Sequence, residues 1–140
     1  MDSLLFVNGT LMSGMALHGN LAGAVFIGET HTAPRYRLYS IGDLHPGMFE
    51  VEEGEAGVSV AGELYRLPVT VWRRVEAGEP PDLFRGPVHL SDGRTVPGIL
   101  YPRQLAEGQY QDISSFGGWR PYLASQGGGA ARRAPGSPGR

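Results

Sequence analysis

The chain has 140 residues, of which 41% are apolar and 19% are charged, and its formal net charge is −2. This length suits one domain, and the composition favours a folded globule. The near-neutral charge provides no basic field for nucleic acid, so a small molecule is the expected partner. The sequence contains no cysteine, which excludes disulfides, thiolate zinc sites, iron–sulfur clusters and a cysteine nucleophile.

The N-terminal apolar run, residues 4–7, predicts a buried strand that ends at Asn8 and Gly9. The run is too short for a membrane span or a signal peptide, so we expect no membrane association and a cytoplasmic location. Residues 22–27 form the next apolar segment and predict a second extended stretch. A helix is the alternative for both short segments.

Two segments alternate polar and apolar side chains, which is typical of half-buried strands. They are residues 35–39 and 58–65. Residues 68–75 instead place apolar side chains at helical spacing, with Pro68 suited to the first turn and Gly78 to the C-terminal stop. The middle of the chain is therefore predicted to be two strands followed by a short helix.

A β-hairpin is predicted in the second half of the chain. An Asp-Gly pair between two apolar runs is a strong local signal for a tight turn. Here Asp92 and Gly93 stand between residues 88–90 and residues 96–101.

The C-terminal part divides into a helix and a tail. Residues 117–124 predict a last short helix, with Ser114 and Ser115 as candidate N-cap residues. The predicted globular domain covers residues 1–126. Residues 127–140 consist only of Gly, Ala, Arg, Pro and Ser, so they have little to bury and are predicted to be disordered.

The junction after the first strand has the composition of a binding loop. Residues 8–14 contain two glycines and two hydroxyl side chains. Glycine lets the backbone approach a ligand closely, and successive N–H groups can hold a carboxylate or a developing oxyanion. An ordinary strand-to-turn junction has the same composition, so the loop alone leaves both interpretations open.

Motifs along most of the chain resemble one superfamily. The N-terminal motifs are Asn8-Gly9-Thr10-Leu11, Gly14, His18, residues 20–21 and residues 26–28. The later motifs are residues 32–39, 46–47, 60–68, 90–100 and 112–124. In order and spacing they resemble the γ-glutamylcyclotransferase-like, or AIG2-like, superfamily over residues 4–126. The last two segments are most similar to the C-terminal domain of allophanate hydrolases.

The resemblance implies an α+β fold, a small mixed β-barrel of about six strands with short helices. It also implies a cavity at the end of the first strand, lined by the loop that follows. Six residues are the resulting candidates for substrate binding. They are Asn8, Gly9, Thr10, Leu11, His18 and Tyr122.

The activity that the resemblance implies is cyclisation of a γ-glutamyl amide to 5-oxoproline and a free amine. A carboxylate must then move protons as general acid and base. Alignment with the acidic segment of the superfamily places Glu76 in this role, and a three-residue shift of the alignment gives Glu79 as the fallback. The leaving amine stays open, and one possibility is a γ-glutamyl-protected intermediate of secondary metabolism.

Two departures from the resemblance keep other functions open. Asn8 replaces a tyrosine of the cyclotransferases, and Gly9, Thr10 and Leu11 stand where the allophanate branch has a histidine. The first alternative is a lyase or hydrolase that acts on a urea-like carboxylate, such as the decarboxylation of N-carboxyurea. The second alternative is a non-catalytic module that binds a small carboxylate.

The sequence predicts neither a metal nor another cofactor. The four histidines are His18, His31, His45 and His89, and they have no spacing typical of metal ligands. No Ser/His/Asp arrangement for nucleophilic catalysis is visible either. The oligomeric state is left open by the sequence.

Overall fold

A computed structural model describes residues 2–127 of the chain. The predicted disordered tail, residues 127–140, lies outside these residues except for Gly127, which ends the last helix. The strands of the described part are β1 (Ser3–Val7), β2 (Val25–His31), β3 (Tyr36–Ile41), β4 (His45–Glu50), β5 (Ala61–Leu67), β6 (Phe84–His89), β7 (Thr95–Leu100) and β8 (Gln111–Asp112). The α-helices are α1 (Val69–Ala77), α2 (Arg103–Ala106) and α3 (Trp119–Gly127), and 3₁₀ turns cover His18–Leu21 and Ser114–Phe116.

The larger sheet has five strands in the order β2-β5-β1-β7-β6. Its pairs are antiparallel except for β1 and β7, which run parallel with Phe6 opposite Gly98. The two edge strands meet beyond their ends, where Thr32 pairs with Leu90 in an isolated bridge. The sheet therefore curls until its edges touch, and β1 lies at its centre.

The smaller sheet has three antiparallel strands in the order β4-β3-β8. The Tyr101 N–H donates to the Met48 carbonyl at 2.9 Å and joins this sheet to the end of β7. These two sheets and their short helices confirm the predicted α+β fold class, with more strands than the six expected.

The apolar composition of β1 explains its central position. Leu5, Phe6 and Val7 are almost completely buried in the main core, because neighbouring strands cover both edges of β1 and the core packs around it. The strand ends at Val7. The first residue beyond this buried strand is Asn8, so the fold holds the following loop at a fixed position.

Most predicted elements are confirmed. The helix at residues 68–75 corresponds to α1, with Pro68 as its N-cap residue and Gly78 as its C-cap residue. The predicted hairpin corresponds to β6 and β7, and Leu90 donates its N–H to the Arg94 carbonyl across the turn. The second strand begins only at Val25, since a 3₁₀ turn precedes it.

The predicted capping role of Ser114 and Ser115 is wrong. These residues belong to a separate 3₁₀ turn, and α3 begins at Trp119. The Ser114 hydroxyl instead accepts the Leu38 N–H at 2.8 Å. A tertiary hydrogen bond to β3 therefore takes the place of the local cap.

Within residues 2–127, no helix combines the length and the apolar composition that a membrane crossing requires.

Candidate functional site

A small cavity, called here the inner cavity, lies at the end of β1. Its volume is about 30 Å³, enough for one or two water molecules. The residues that line it are Val7, Asn8, Gly9, Thr10, Leu11, His45, Pro46, Glu79, Leu83 and Ile99. Four of the six predicted substrate-binding residues and one of the two candidate acid/base residues therefore meet in one place.

Local hydrogen bonds fix the loop of residues 8–11. Met12 donates its N–H to the Gly9 carbonyl at 3.0 Å, and Leu17 donates to the Thr10 carbonyl at 2.8 Å. Within the described part of the chain, the N–H groups of Thr10 and Leu11 donate to no acceptor. The loop thus holds two backbone donors that no group of the described residues occupies, and such donors can bind an oxyanion or a carboxylate.

Gly9 is required by a close approach. A Cβ atom at this position would lie 2.7 Å from the Pro46 ring, which is shorter than a van der Waals contact. Glycine therefore lets β4 pack directly against the loop and close one side of the inner cavity.

Asn8 is buried, with 5% of its surface exposed. Its side-chain amide donates to the Met48 sulfur at 3.6 Å, and a thioether is a weak acceptor. An amide in this environment can exchange that contact for a stronger acceptor on a ligand at little cost.

Glu79 follows the C-terminus of α1 and enters the inner cavity. Its Oε1 atom is buried and has no hydrogen-bond partner among residues 2–127. Burial, together with the nearby negative charge of Glu76, raises the pKa of Glu79 from 4.5 to about 7. A carboxyl group with this pKa exchanges protons readily near neutral pH, as a general acid/base must.

Glu76 has a different environment. Its side chain is 53% exposed, and its Oε2 lies 3.9 Å from an Nη of Arg85. It lines a second cavity of about 210 Å³, called here the outer groove, which is also lined by Glu79. The structure therefore brings Glu79, the fallback of the sequence alignment, to the 8–11 loop, and leaves Glu76 one cavity further out.

His18 and Tyr122 lie away from the inner cavity. The His18 Nδ1–H donates to the Leu11 carbonyl at 3.0 Å, and the ring faces a separate cavity beside Tyr65. Tyr122 is buried and donates its hydroxyl to Asp43 at 2.5 Å. Both residues stabilise structure next to the inner cavity. His18 supports the loop, and Tyr122 supports the turn before β4.

Two residues near the loop were not predicted from the sequence. His45, the first residue of β4, is buried against the inner cavity. Its Nδ1 lies 3.0 Å from the Pro46 carbonyl. Since a carbonyl can only accept, Nδ1 carries the proton, and in the neutral ring Nε2 is then an acceptor. The second residue is Glu63.

Glu63 on β5 is a buried carboxylate, 2% exposed, that holds the exit of the loop. It accepts the Ser13 N–H and the Ser13 hydroxyl at 2.8 Å each, the Tyr65 hydroxyl at 2.9 Å and an Arg120 N–H at 3.1 Å. Burial acts to raise the pKa of Glu63, but these hydrogen bonds outweigh it and hold the pKa below its usual value. The ionised side chain therefore fixes Ser13, two residues beyond Leu11.

Among residues 2–127, there is no group of three His, Asp or Glu side chains that could hold a metal ion.

Comparisons with known proteins point to one family. A family described as the allophanate hydrolase C-terminal domain matches residues 3–124. A Vibrio cholerae protein with the provisional name gamma-glutamylcyclotransferase is 38% identical over 65 residues, which are 46% of this chain and 51% of that protein. The chain thus spans about half the length of this curated relative.

Solved structures agree with this match. A uropathogenic E. coli-specific protein is 40% identical with a TM-score of 0.82, covering 89% of this chain and 97% of that chain. Allophanate hydrolase from Kluyveromyces lactis is 27% identical with a TM-score of 0.81, covering 90% of this chain but only 22% of that chain. An AIG2-like protein from Mus musculus, 20% identical with a TM-score of 0.59 over 78% of this chain and 82% of that chain, shares the fold.

Proposed function

The chain belongs to the allophanate hydrolase C-terminal domain family, and its fold is that of γ-glutamylcyclotransferases; we propose that it is an enzyme that cleaves a γ-glutamyl amide by intramolecular cyclisation. The observation that carries the proposal is the buried Oε1 of Glu79, which has no hydrogen-bond partner among residues 2–127 and lies in the cavity lined by the loop of residues 8–11. A buried carboxyl group with a raised pKa lines the same cavity as the loop, so a proton-transfer group and backbone N–H donors, the two parts this chemistry needs, lie close together.

In the proposed reaction the α-amino nitrogen attacks the γ-carbonyl carbon. The new C–N bond closes the five-membered ring of 5-oxoproline, and the bond between the carbonyl carbon and the leaving nitrogen breaks. The α-ammonium gives up one proton before the attack and a second as the ring closes. Glu79 accepts these protons in turn. It returns one to the leaving nitrogen, which departs as a neutral amine, and releases the other to water, from which the free amine takes up one proton.

The loop would stabilise the tetrahedral intermediate. As the carbonyl oxygen becomes negative, the N–H groups of Thr10 and Leu11 can donate to it without first losing other partners. Because nucleophile and carbonyl belong to one molecule, much of the rate comes from holding them in the reactive geometry. The inner cavity of about 30 Å³ admits the reacting carbonyl, and the rest of the substrate extends outward.

The environment of Glu79 supports its assignment over Glu76. A general acid/base works best when its pKa lies near the working pH. Glu79 has a raised pKa of about 7 and contacts the inner cavity. Glu76 is half exposed and lies outside that cavity.

The test is product formation by mass spectrometry from a panel of γ-glutamyl amines and peptides. Wild-type protein is expected to form 5-oxoproline, and Glu79→Gln is expected to reduce the rate by at least about a hundred-fold, a typical contribution of general acid/base catalysis. Glu53→Gln, an exposed change far along the chain, is the matched control. Loss of activity in Glu76→Gln but not in Glu79→Gln would reverse the assignment.

A second candidate function is favoured by His45. The allophanate branch uses a histidine near the first strand, and the structure places His45 beside Glu79 in the inner cavity although its position in the sequence is different. Either Glu79 or His45 could donate a proton to the nitrogen from which a urea-like carboxylate loses CO₂. This candidate predicts CO₂ release from N-carboxyurea and loss of that activity in His45→Gln.

The two enzymatic candidates are tested with different substrates, γ-glutamyl amides for the first and N-carboxyurea for the second. If neither 5-oxoproline nor CO₂ is formed but a small carboxylate binds equally well to wild type and Glu79→Gln, the domain is a binding module without chemistry.

A further inference from the structure

The outer groove adjoins the inner cavity and is separate from the loop of residues 8–11. Glu79, Leu83 and Ile99 line both cavities. The outer groove has a volume of about 210 Å³, below the roughly 300–1,000 Å³ of pockets that hold drug-sized ligands. A substrate whose reacting carbonyl enters the inner cavity would place an amino-acid-sized group here.

Arg85 on β6 is held in the outer groove by an aromatic ring. Its guanidinium carbon lies 4.5 Å from the centre of the Trp72 ring, a cation–π arrangement. Trp72 is itself buried and donates its indole N–H to the Ser3 hydroxyl. The plane that supports the guanidinium is therefore fixed by the core.

Within residues 2–127, the N–H groups of Arg85 donate no hydrogen bond to a carboxylate. The Glu76 carboxylate lies 3.9 Å away, too far for a hydrogen bond, and Glu79 lines the same groove without pairing with Arg85. Both side chains are about half exposed, and such a loose surface pair contributes little. A ligand carboxylate could take up the bidentate geometry that the guanidinium prefers.

We propose that Arg85 and Glu76 form a subsite for a free α-amino acid head group, with Arg85 binding the α-carboxylate and Glu76 the α-ammonium. The proposal rests on the proposed cyclotransferase function for what lies in the inner cavity. Glu76 and Glu79 both line the outer groove, so an ammonium held by Glu76 lies next to the carboxylate that must take its proton. The site thus selects γ-glutamyl substrates whose α-amino and α-carboxylate groups are both unblocked.

The experiment measures binding rather than turnover. The protein used is the full chain carrying Glu79→Gln, called here the host, because this variant is expected to leave a γ-amide probe intact. The probes are L-glutamine, its α-carboxamide and N-acetyl-L-glutamine, and their binding is measured by titration calorimetry. Replacing the carboxylate by a carboxamide, or introducing Arg85→Gln, is expected to weaken binding at least about ten-fold. The two changes together should weaken it no further, because they remove the same interaction.

Glu76→Gln and N-acetylation of the probe both remove the contact between Glu76 and the α-ammonium. Each change alone should weaken binding, and the two together should weaken it no further. Arg85→Lys keeps the positive charge but loses the bidentate geometry of the guanidinium, so it should recover part of the affinity that Arg85→Gln loses. Arg73→Gln, an exposed change on α1, is the matched control, and thermal melts of each variant check that it is folded.

Equal affinity of L-glutamine for the host and for its Arg85→Gln variant overturns the subsite, as does a host that binds no L-glutamine. The results distinguish failure of the proposed subsite from failure of the proposed cyclotransferase chemistry. If wild-type protein forms no 5-oxoproline while binding depends on Arg85, the cyclotransferase proposal fails and the subsite stands. If 5-oxoproline forms and Arg85→Gln leaves KM unchanged, the subsite fails and the chemistry stands.

Discussion

Replacing Glu79 with glutamine should change the way in which stability depends on pH. In the folded protein, burial and the charge of Glu76 raise the pKa of Glu79 from 4.5 to about 7. The folded state therefore binds the proton more tightly than the unfolded state does. The stability linked to this group is fully present below about pH 4.5 and is lost as the pH rises through about 7.

The size of the effect follows from the same values. One pKa unit corresponds to roughly 1.4 kcal/mol, so a rise from 4.5 to about 7 costs about 3 kcal/mol of free energy of unfolding above neutral pH. Glutamine has nearly the same shape as the protonated side chain and never ionises. Glu79→Gln should thus be nearest to wild type at pH 5 and exceed it most at pH 8, where the difference is roughly 10 °C in Tm for a domain of this size.

The assay is thermal unfolding followed by circular dichroism from about pH 5 to about pH 8. Glu53→Gln, at an exposed position, should follow wild type throughout. Glu76→Gln should give an intermediate curve, because it removes the second cause of the raised pKa. A constant difference in Tm between Glu79→Gln and wild type across this range would refute the link between burial and proton affinity.

Two further changes test the parts that hold the loop. Gly9→Ala should lower the free energy of unfolding by about 1–3 kcal/mol in urea and reduce turnover, since its Cβ would lie 2.7 Å from the Pro46 ring; Gly19→Ala, which has open space around it, should do neither. Glu63→Gln should lower the free energy of unfolding by about 1–3 kcal/mol at neutral pH. Because hydrogen bonds outweigh burial and lower the pKa of Glu63, this loss of stability should shrink as the pH falls below the usual carboxyl range. Glu29→Gln, exposed on the neighbouring strand, should stay within about 0.5 kcal/mol of wild type, and a similar loss there would contradict a specific role for Glu63.

The elements that the sequence predicts well are those with strong local signals. The Asp92-Gly93 turn lies between β6 and β7, and α1 lies between Pro68 and Gly78 as expected. Local sequence signals did not predict β4, and only the resemblance pointed to a strand at residues 46–47, because His45, Pro46 and Gly47 are poor strand formers by local propensity. Pairing with β3 and packing against the loop override that preference.

The sequence predicted only some of the residues that surround the inner cavity and hold its loop. The loop of residues 8–11 is recognisable because glycine and hydroxyl residues directly follow a buried strand. Glu63 gave no signal, since a lone glutamate within a strand is most often exposed. Its partners Ser13 and Arg120 lie 50 and 57 residues away in the sequence, so only the folded chain brings them together.

The buried position of the Glu79 carboxyl group could have been predicted from helical periodicity. The buried residues of α1 are Val71, Trp72 and Val75, and the next position on that face is four residues beyond Val75. That position is Glu79, whereas Glu76 projects from the helix about 100° away from Val75. The helix ends before Glu79, and Gly78 closes it with its N–H bonded to the last carbonyls, yet the side chain still follows the apolar face into the protein. A carboxylate that continues an apolar stripe is necessarily poorly hydrated, and this position, more than any charged neighbour, makes its proton available near neutral pH.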